Sequence, residues 1–289
     1  MKAKINGTEI FFDVEGLQYV PDGPVMKERP VCFLIHGGPG IDHATYIPDA
    51  SRYSNFMQLV YIDNRGSGRS GRPDISTCTL EQNIDDLEAL RQYLGLEKIV
   101  LMGQSYGGFV AQGYALKYPE NVSALILLMT APSGEAIEDA KVELERRGTP
   151  EQIEFGKRLF EGNFESDEQF IEFFNLFFNL YSYTRKELTE EFVNSNKRQI
   201  VSRKIVNNGF QTYVRTFDYR EALKSLDVPT LIVGGTEDWI TPVKHSYLLA
   251  DLIKNSELRV FENCGHSVFA DAPDFLYAEI HQFIKKHLG

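Results

Sequence analysis

Six short apolar runs, separated by stretches of helical pattern, constrain this chain more than any other feature. They are Val31–Ile35, Leu59–Ile62, Ile99–Met102, Ala124–Met129, Thr230–Val233 and Leu258–Phe261. Near-continuous apolar runs of this length, closed off by Gly, Asn or Pro, suit parallel strands buried on both faces. Leu80–Leu94 reads as a helix between two of them, with Thr79 and Gln82 placed for a capping box. Near the start, Lys2–Asn6 and Glu9–Val14 flank Asn6-Gly7, a dipeptide suited to a tight hairpin turn, and a proline-containing loop follows. The alternation predicts an α/β fold, with a mostly parallel central sheet flanked by helices. At 289 residues the chain fits one large domain carrying an insertion, and it can bury a core without disulfides or a structural metal.

The alternation fails between about Gly134 and Asp227, which holds no convincing strand. There Phe170, Phe173, Phe174, Phe177, Phe178 and Tyr181 fall on one face of a single expected helix. Residues 153–219 hold 15 of the chain's 34 Phe and Tyr, so this stretch has an apolar face to bury. The expected division is a core of 1–134 and 228–289, with 135–227 as a helical cap. The aromatic face either packs on the core or roofs an apolar substrate pocket, and the two are compatible. A membrane-surface helix is disfavoured because the segment is acidic rather than rich in Lys and Arg.

Charge narrows the partners. The net charge of −11 is spread along the chain and no basic patch is visible, which argues against nucleic acid. Cys32, Cys78 and Cys264 form no CxxC pair, hence neither a disulfide framework nor a zinc site. Met1–Gly16 has no apolar signal-peptide core, and the longest apolar run, Ala124–Met129, cannot span a bilayer. A cytoplasmic protein is expected, with its number of subunits left open.

The chemistry is concentrated at Gly103-Gln104-Ser105-Tyr106-Gly107-Gly108, between the strand Lys98–Met102 and the helical pattern Phe109–Tyr118. Gly-x-Ser-x-Gly at a strand–turn–helix junction forces the serine onto a sharp turn that exposes its hydroxyl above the sheet edge. A serine needs a base, and the base an orienting acid, in the chain order Ser, acid, His. Of the histidines after Ser105, His266 alone occupies a loop directly after a strand, which makes it the candidate base. For the acid, Asp238 and Glu237 compete in the loop after Thr230–Gly235, and Pro242 at the next helix start favours Asp238. Acyl transfer also needs two backbone N–H groups for the oxyanion. The Tyr106 amide is one, and the loop His36-Gly37-Gly38-Pro39-Gly40 can supply the other.

A rival motif, Gly66-Ser67-Gly68-Arg69-Ser70-Gly71, formally matches GxGxxG. A dinucleotide fingerprint opens a helix within itself, whereas here Arg72-Pro73-Asp74 intervenes and the helix begins near Thr79. It reads as a tight loop. Cys264, two residues before His266, reads as a packed thiol.

With these residues in place the chain resembles the α/β-hydrolase superfamily over nearly its full length. His36-Gly37-Gly38-Pro39-Gly40 together with Asp63-Asn64-Arg65-Gly66-Ser67-Gly68-Arg69-Ser70 is similar in particular to the proline iminopeptidase group, including the tricorn-associated aminopeptidases. The resemblance implies that fold with a helical cap, a triad of Ser105, Asp238 and His266, and an oxyanion hole of Gly38 with Tyr106. In that group glutamates hold the substrate's ammonium, one directly after the triad acid and one late in the cap. Here those places read Trp239 and Asn207-Asn208-Gly209-Phe210. Trp239 offers cation–π attraction and Asn207 a dipole, weaker partners for a buried charge. Trp239, Asn207, Phe174 and Phe178 are therefore the expected substrate contacts. Glu165, Asp167, Glu168 and Glu172 are acids that the cap offers instead.

The sequence thus points to a serine hydrolase needing no metal or organic cofactor, acting on a small molecule or short peptide. Release of an N-terminal residue is the first expectation and carboxylesterase or lactonase activity the second. A non-catalytic ligand receptor on the same fold is a lesser alternative.

Overall fold

All six apolar runs form strands, because each finds apolar neighbours on both sides of one sheet. The computed structural model describes residues 1–47 and 49–289. Its strands are β1 (Lys2–Ile5), β2 (Thr8–Glu15), β3 (Tyr19–Asp22), β4 (Val25–Glu28), β5 (Val31–Ile35), β6 (Gln58–Ile62), β7 (Ile99–Gln104), β8 (Val122–Leu128), β9 (Thr230–Gly235) and β10 (Ser256–Phe261). The helices are α1 (Leu80–Tyr93), α2 (Tyr106–Lys117), α3 (Ala136–Arg147), α4 (Pro150–Glu161), α5 (Asp167–Leu176), α6 (Phe178–Tyr181), α7 (Glu190–Arg198), α8 (Arg203–Gln211), α9 (Arg220–Leu223), α10 (Lys244–Leu252), α11 (Val268–Asp271) and α12 (Pro273–Leu288).

Eight strands make one sheet in the order β1-β2-β6-β5-β7-β8-β9-β10. β1 and β2 are antiparallel to their neighbours, and β6 through β10 run parallel. Asn6 and Gly7 take positive φ (45° and 74°), the turn geometry that matches strand twist in a two-residue hairpin. β5 and β9 are buried along their whole length, as expected for central strands. The edge strand β10 is half-buried and carries Arg259 paired with Glu257 and Glu279, charges that discourage edge-to-edge pairing. α1, α2 and α10 cover one face, and α12 with the turns His43–Tyr46 and Asp49–Asn55 covers the other.

The strand order sets where a site can form. From β5 the chain steps to β6 on one side, then crosses through α1 to β7 on the other. At such a reversal the strand ends open a crevice. The loops after Ile35 and Gln104 flank it, since Ile35 pairs with Gly103.

Between β8 and β9 the chain inserts α3 to α9. The two ends of this stretch meet where Ser133 bridges Asp218 and the Gly134 N–H donates to the Phe217 carbonyl at 2.9 Å. No helix among the described residues is long and apolar enough to cross a membrane.

Three local expectations are corrected. Part of the expected loop before Val31 is the β3–β4 hairpin, which pairs only with itself and whose Pro21 and Pro24 read as a loop rather than a strand. The single aromatic helix breaks at Phe177 (φ −95°, ψ 9°), so α5 ends at Leu176 and Phe178 starts a new turn. At Thr79 only half a capping box forms, because the Gln82 amide donates to Asp86 at 3.4 Å instead of turning back.

Candidate active site

The strand–helix junction explains the glycines. Ser105 sits between β7 and α2 at φ 55°, ψ −123°, a strained conformation that only a tightly determined surrounding maintains. A Cβ on Gly103 would stand 2.3 Å from the Gly107 carbonyl oxygen, and one on Gly107 only 1.9 Å from that of Ile35. Strand, helix and the neighbouring β5 therefore cross at backbone contact. The Ser105 carbonyl accepts from the Gly108 N–H and the Thr130 hydroxyl, each at 2.8 Å, which fixes the turn.

Asp238 follows β9 and His266 follows β10, and both side chains are buried. The Asp238 carboxylate accepts the Ile240 and Thr241 N–H groups at 3.0 Å, the Thr241 hydroxyl at 2.8 Å and His266 Nδ1 at 2.8 Å. With Nδ1–H donated to the carboxylate, Nε2 is left as the basic nitrogen. Glu237, the competing acid, turns away and sits 3.7 Å from Arg147. Gln104 Nε2 donates to the His266 carbonyl at 2.8 Å, tying the histidine loop to the residue before Ser105. Tyr181 closes the other side, its ring edge-on to the imidazole at 5.6 Å. Burial, with the charge of Asp238, pushes the Tyr181 hydroxyl well above the ordinary tyrosine range, so it stays neutral.

The loop after β5 is held from within. His36 Nδ1 donates to the Gly37 carbonyl at 2.7 Å and Nε2 accepts the Asn64 N–H at 3.1 Å. Burial holds this imidazole below its usual range, which keeps it neutral and able to do both. Gly38 has φ 111°, a region that favours glycine. The Gly38 and Tyr106 amides have no intramolecular acceptor among the described residues. Asp63 explains the second motif: it accepts the His43 N–H at 2.9 Å, His43 Nδ1 at 2.7 Å and the Arg69 N–H at 2.7 Å. Although burial raises the Asp63 carboxyl, the hydrogen bonds from His43 and from the Arg69 N–H help bring it below the usual carboxylate range. Residues 63–70 are thus a brace for the 36–43 loop, and α1 starts only at Leu80, outside the GxGxxG string.

Ser105, His266, Gly37 and Gly38 share one cavity of about 880 Å³, roofed by the inserted helices through Phe170, Phe173, Phe174, Tyr181 and Phe210. Of the expected substrate contacts, Phe174 lines it and three do not. Trp239 is fully buried, packed on Phe177, Tyr181 and Phe160 with ring centroids 5.4, 5.7 and 6.4 Å away, and Ile240 takes the lining position. Asn207 is occupied with the Phe164 backbone, accepting its N–H at 3.0 Å and donating to its carbonyl at 2.9 Å. Phe178 is carried off the face by the break at Phe177. None of Glu165, Asp167, Glu168 and Glu172 lines the cavity; Glu165 pairs with Arg158 at 2.9 Å and Asp167 accepts the Arg203 N–H at 2.6 Å. Among the described lining residues the carboxylates are Asp49 and Glu191, both exposed. Arg69, from the second motif, and Phe210 also line the cavity, as do Arg185 and Arg198, which no local sequence pattern marks. Among the described residues no cluster of His, Cys, Asp or Glu is arranged to hold a metal ion.

Comparison with known proteins adds to this geometry. A family model described as the alpha/beta hydrolase fold matches residues 30–273. The proline iminopeptidase PfmaB of Pestalotiopsis fici is 33% identical over 284 residues, spanning 96% of this chain and 99% of the relative. The crystal structure of a Mycobacterium smegmatis proline iminopeptidase superposes with a TM-score of 0.78 at 18% identity, covering 99% of this chain and 98% of that one. An esterase from Exiguobacterium antarcticum gives 0.71 at 21% identity, with 97% of each chain covered. The two structural likenesses show a shared fold.

Proposed function

This chain belongs to the α/β-hydrolase fold family and is homologous to proline iminopeptidases, and from that premise we propose that it is a serine hydrolase releasing the N-terminal residue of short peptides. The observation that carries the reading is the buried His266–Asp238 pair at 2.8 Å, in a loop tied to Gln104 beside the strained Ser105. In this reading 135–227 is the cap over the core of 1–134 and 228–289.

The reaction follows from the roles of the side chains. Ser105 Oγ attacks the substrate carbonyl while its proton passes to His266 Nε2. Asp238 holds the imidazole in the productive tautomer and stabilises the imidazolium. The Tyr106 and Gly38 amides take the oxyanion, each donor lowering the barrier by about 3 kcal/mol in comparable sites. Collapse returns the proton from His266 to the leaving amine, and water then cleaves the acyl-enzyme by the same steps.

Ester hydrolysis is the second reading, and a specific observation favours it. A buried ammonium needs a carboxylate partner, whereas Asp49 and Glu191 are exposed and the roof is aromatic. A panel pairing prolyl-naphthylamide, its N-acylated form and short aryl esters separates the two. The peptidase reading expects the free amine to be preferred in kcat/KM; esters turned over with no preference for the amine would replace it with the esterase reading. In either case Ser105→Ala should abolish turnover in a folded protein, and full residual activity would sink both.

A further inference from the structure

Two guanidiniums of the described cavity lining, Arg185 and Arg198, make no ion pair among the described residues; Arg198 is exposed to solvent, whereas Arg185 is half-buried. Arg185 lies in the loop after α6, and its guanidinium carbon stands 4.0 Å from the centre of the Phe192 ring. Stacking occupies the flat face of the guanidinium and leaves its N–H edge available, the edge that grips a carboxylate with two parallel hydrogen bonds. The other half-buried cavity arginine, Arg69, is already committed to Asp42 at 2.8 Å. Arg185 makes no ion pair and no side-chain hydrogen bond among the described residues.

The arginine is also held in place. Its backbone N–H donates to Ser182 Oγ at 3.2 Å, and Ser182 Oγ in turn donates to Asp271. Asp271 further accepts the Tyr183 N–H at 2.8 Å, the Thr184 N–H at 3.0 Å and the Gly265 N–H at 2.8 Å. Gly265 precedes His266, so one carboxylate fastens the loop of Arg185 to the loop of the candidate base. With these bonds filled, Asp271 offers Arg185 only distant attraction, and burial lowers the guanidinium from its usual range. A half-buried cation left unpaired is unfavourable unless a ligand supplies the anion.

We propose that Arg185 is a specificity residue that binds a carboxylate of the substrate, so that the cavity selects anionic over neutral substrates. The inference rests on the hydrolase reading for the identity of its ligand as substrate. Two sources supply the same chemistry: the C-terminal carboxylate of a short peptide, on the leaving side, or a carboxylate at the far end of the acyl chain.

Matched pairs tell them apart. Prolylglycine against prolylglycinamide tests the leaving side, and the p-nitrophenyl monoester of adipic acid against p-nitrophenyl hexanoate tests the acyl side. The carboxylated member of one pair should be favoured about tenfold in kcat/KM, chiefly through KM, as a charge-assisted bidentate contact would give. Arg185→Gln should bring that ratio close to one, and Arg185→Lys should retain part of it. Equal rates within both pairs, or an Arg185→Gln variant that slows both members by the same factor, overturns the proposal and leaves the hydrolase reading intact. Absence of turnover on every substrate would instead count against the hydrolase reading, and calorimetry then decides the subsite. Adipate or prolylglycine should bind the Ser105→Ala protein about tenfold more tightly than it binds Ser105→Ala/Arg185→Gln. Equal binding, or none, contradicts the proposal.

Discussion

The rim of the sheet and the inserted helices meet at the same cavity but are held by different forces. At the rim, Asp238 alone accepts four hydrogen bonds, two from backbone N–H groups, and Ser105 is wedged among backbone atoms that leave no room for a Cβ on Gly103 or Gly107. Directional contacts of this kind specify one arrangement. The roof is held by aromatic packing, with Phe173 on Phe177 at 4.1 Å and Phe177 on Trp239 at 5.4 Å between centroids. Apolar burial is non-directional, so many side-chain combinations satisfy it. The difference teaches what the proposed function requires of each part: a rim fixed by directional bonds for the chemistry, and a roof of interchangeable aromatic contacts for the choice of substrate.

The largest effect should come from breaking the rim. Asp238→Asn removes the acceptor that fixes the His266 tautomer and should lower kcat on activated aryl esters about 10⁴-fold, with the circular-dichroism spectrum retained. A loss under tenfold would break the claim that the rim sets the chemistry.

Cutting into the roof should do the reverse. Phe177→Ala should cost about 3–5 kcal/mol in urea unfolding, the usual range for a buried Phe, while kcat on a small activated ester falls less than tenfold. A thousandfold fall in a variant still folded at the assay temperature would mean the roof also organises the rim. Asn207→Ala is a smaller and sharper probe. Its hydrogen bonds go to the Phe164 backbone, so the variant should lose about 1–2 kcal/mol and keep its KM. A tenfold rise in KM at unchanged stability would restore Asn207 as a substrate contact.

The smallest effect lies outside both regions. Glu257, on the edge strand β10, is held down to about 2 by hydrogen bonds from His287, Lys286 and Arg259. A depressed carboxylate stabilises the fold above its unfolded pKa, near 4.5, and that contribution disappears as the pH falls through about 2. The wild type should therefore exceed Glu257→Gln by about 1 kcal/mol at pH 7, after solvent screening, with the gap closing by pH 2. Turnover at pH 7 should be equal in the two proteins; a pH-independent gap would refute the linkage.

Legibility in the sequence divides along the same line. That Ser105, Asp238 and His266 would come together could be read because each position depends on a local rule: a glycine pair at a strand–helix crossing, a loop after a strand, an order along the chain. The strands were readable because burial on both faces demands apolar runs. Trp239 misled because a residue's number beside the acid does not say which way its side chain turns; Ile240 faces the cavity and Trp239 the core. Phe178 misled because the helical period ran on past Phe177, where the backbone leaves the helix. Arg185 carries no local pattern at all. Its place beside the cavity is set by contacts distant in sequence: Asp271 gathers Ser182, Tyr183 and Thr184 against Gly265.

The central claim is that Ser105 is an activated nucleophile, and covalent labelling by a fluorophosphonate tests it most directly. Intact-protein mass spectrometry should show a single phosphonyl adduct, peptide mapping should place it on Ser105, and Ser105→Ala should remain unmodified. Asp238→Asn should label far more slowly than the wild type. A folded wild-type protein that stays unlabelled, or one labelled equally in the Ser105→Ala variant, would contradict the account and favour a fold that binds its ligand without reacting with it.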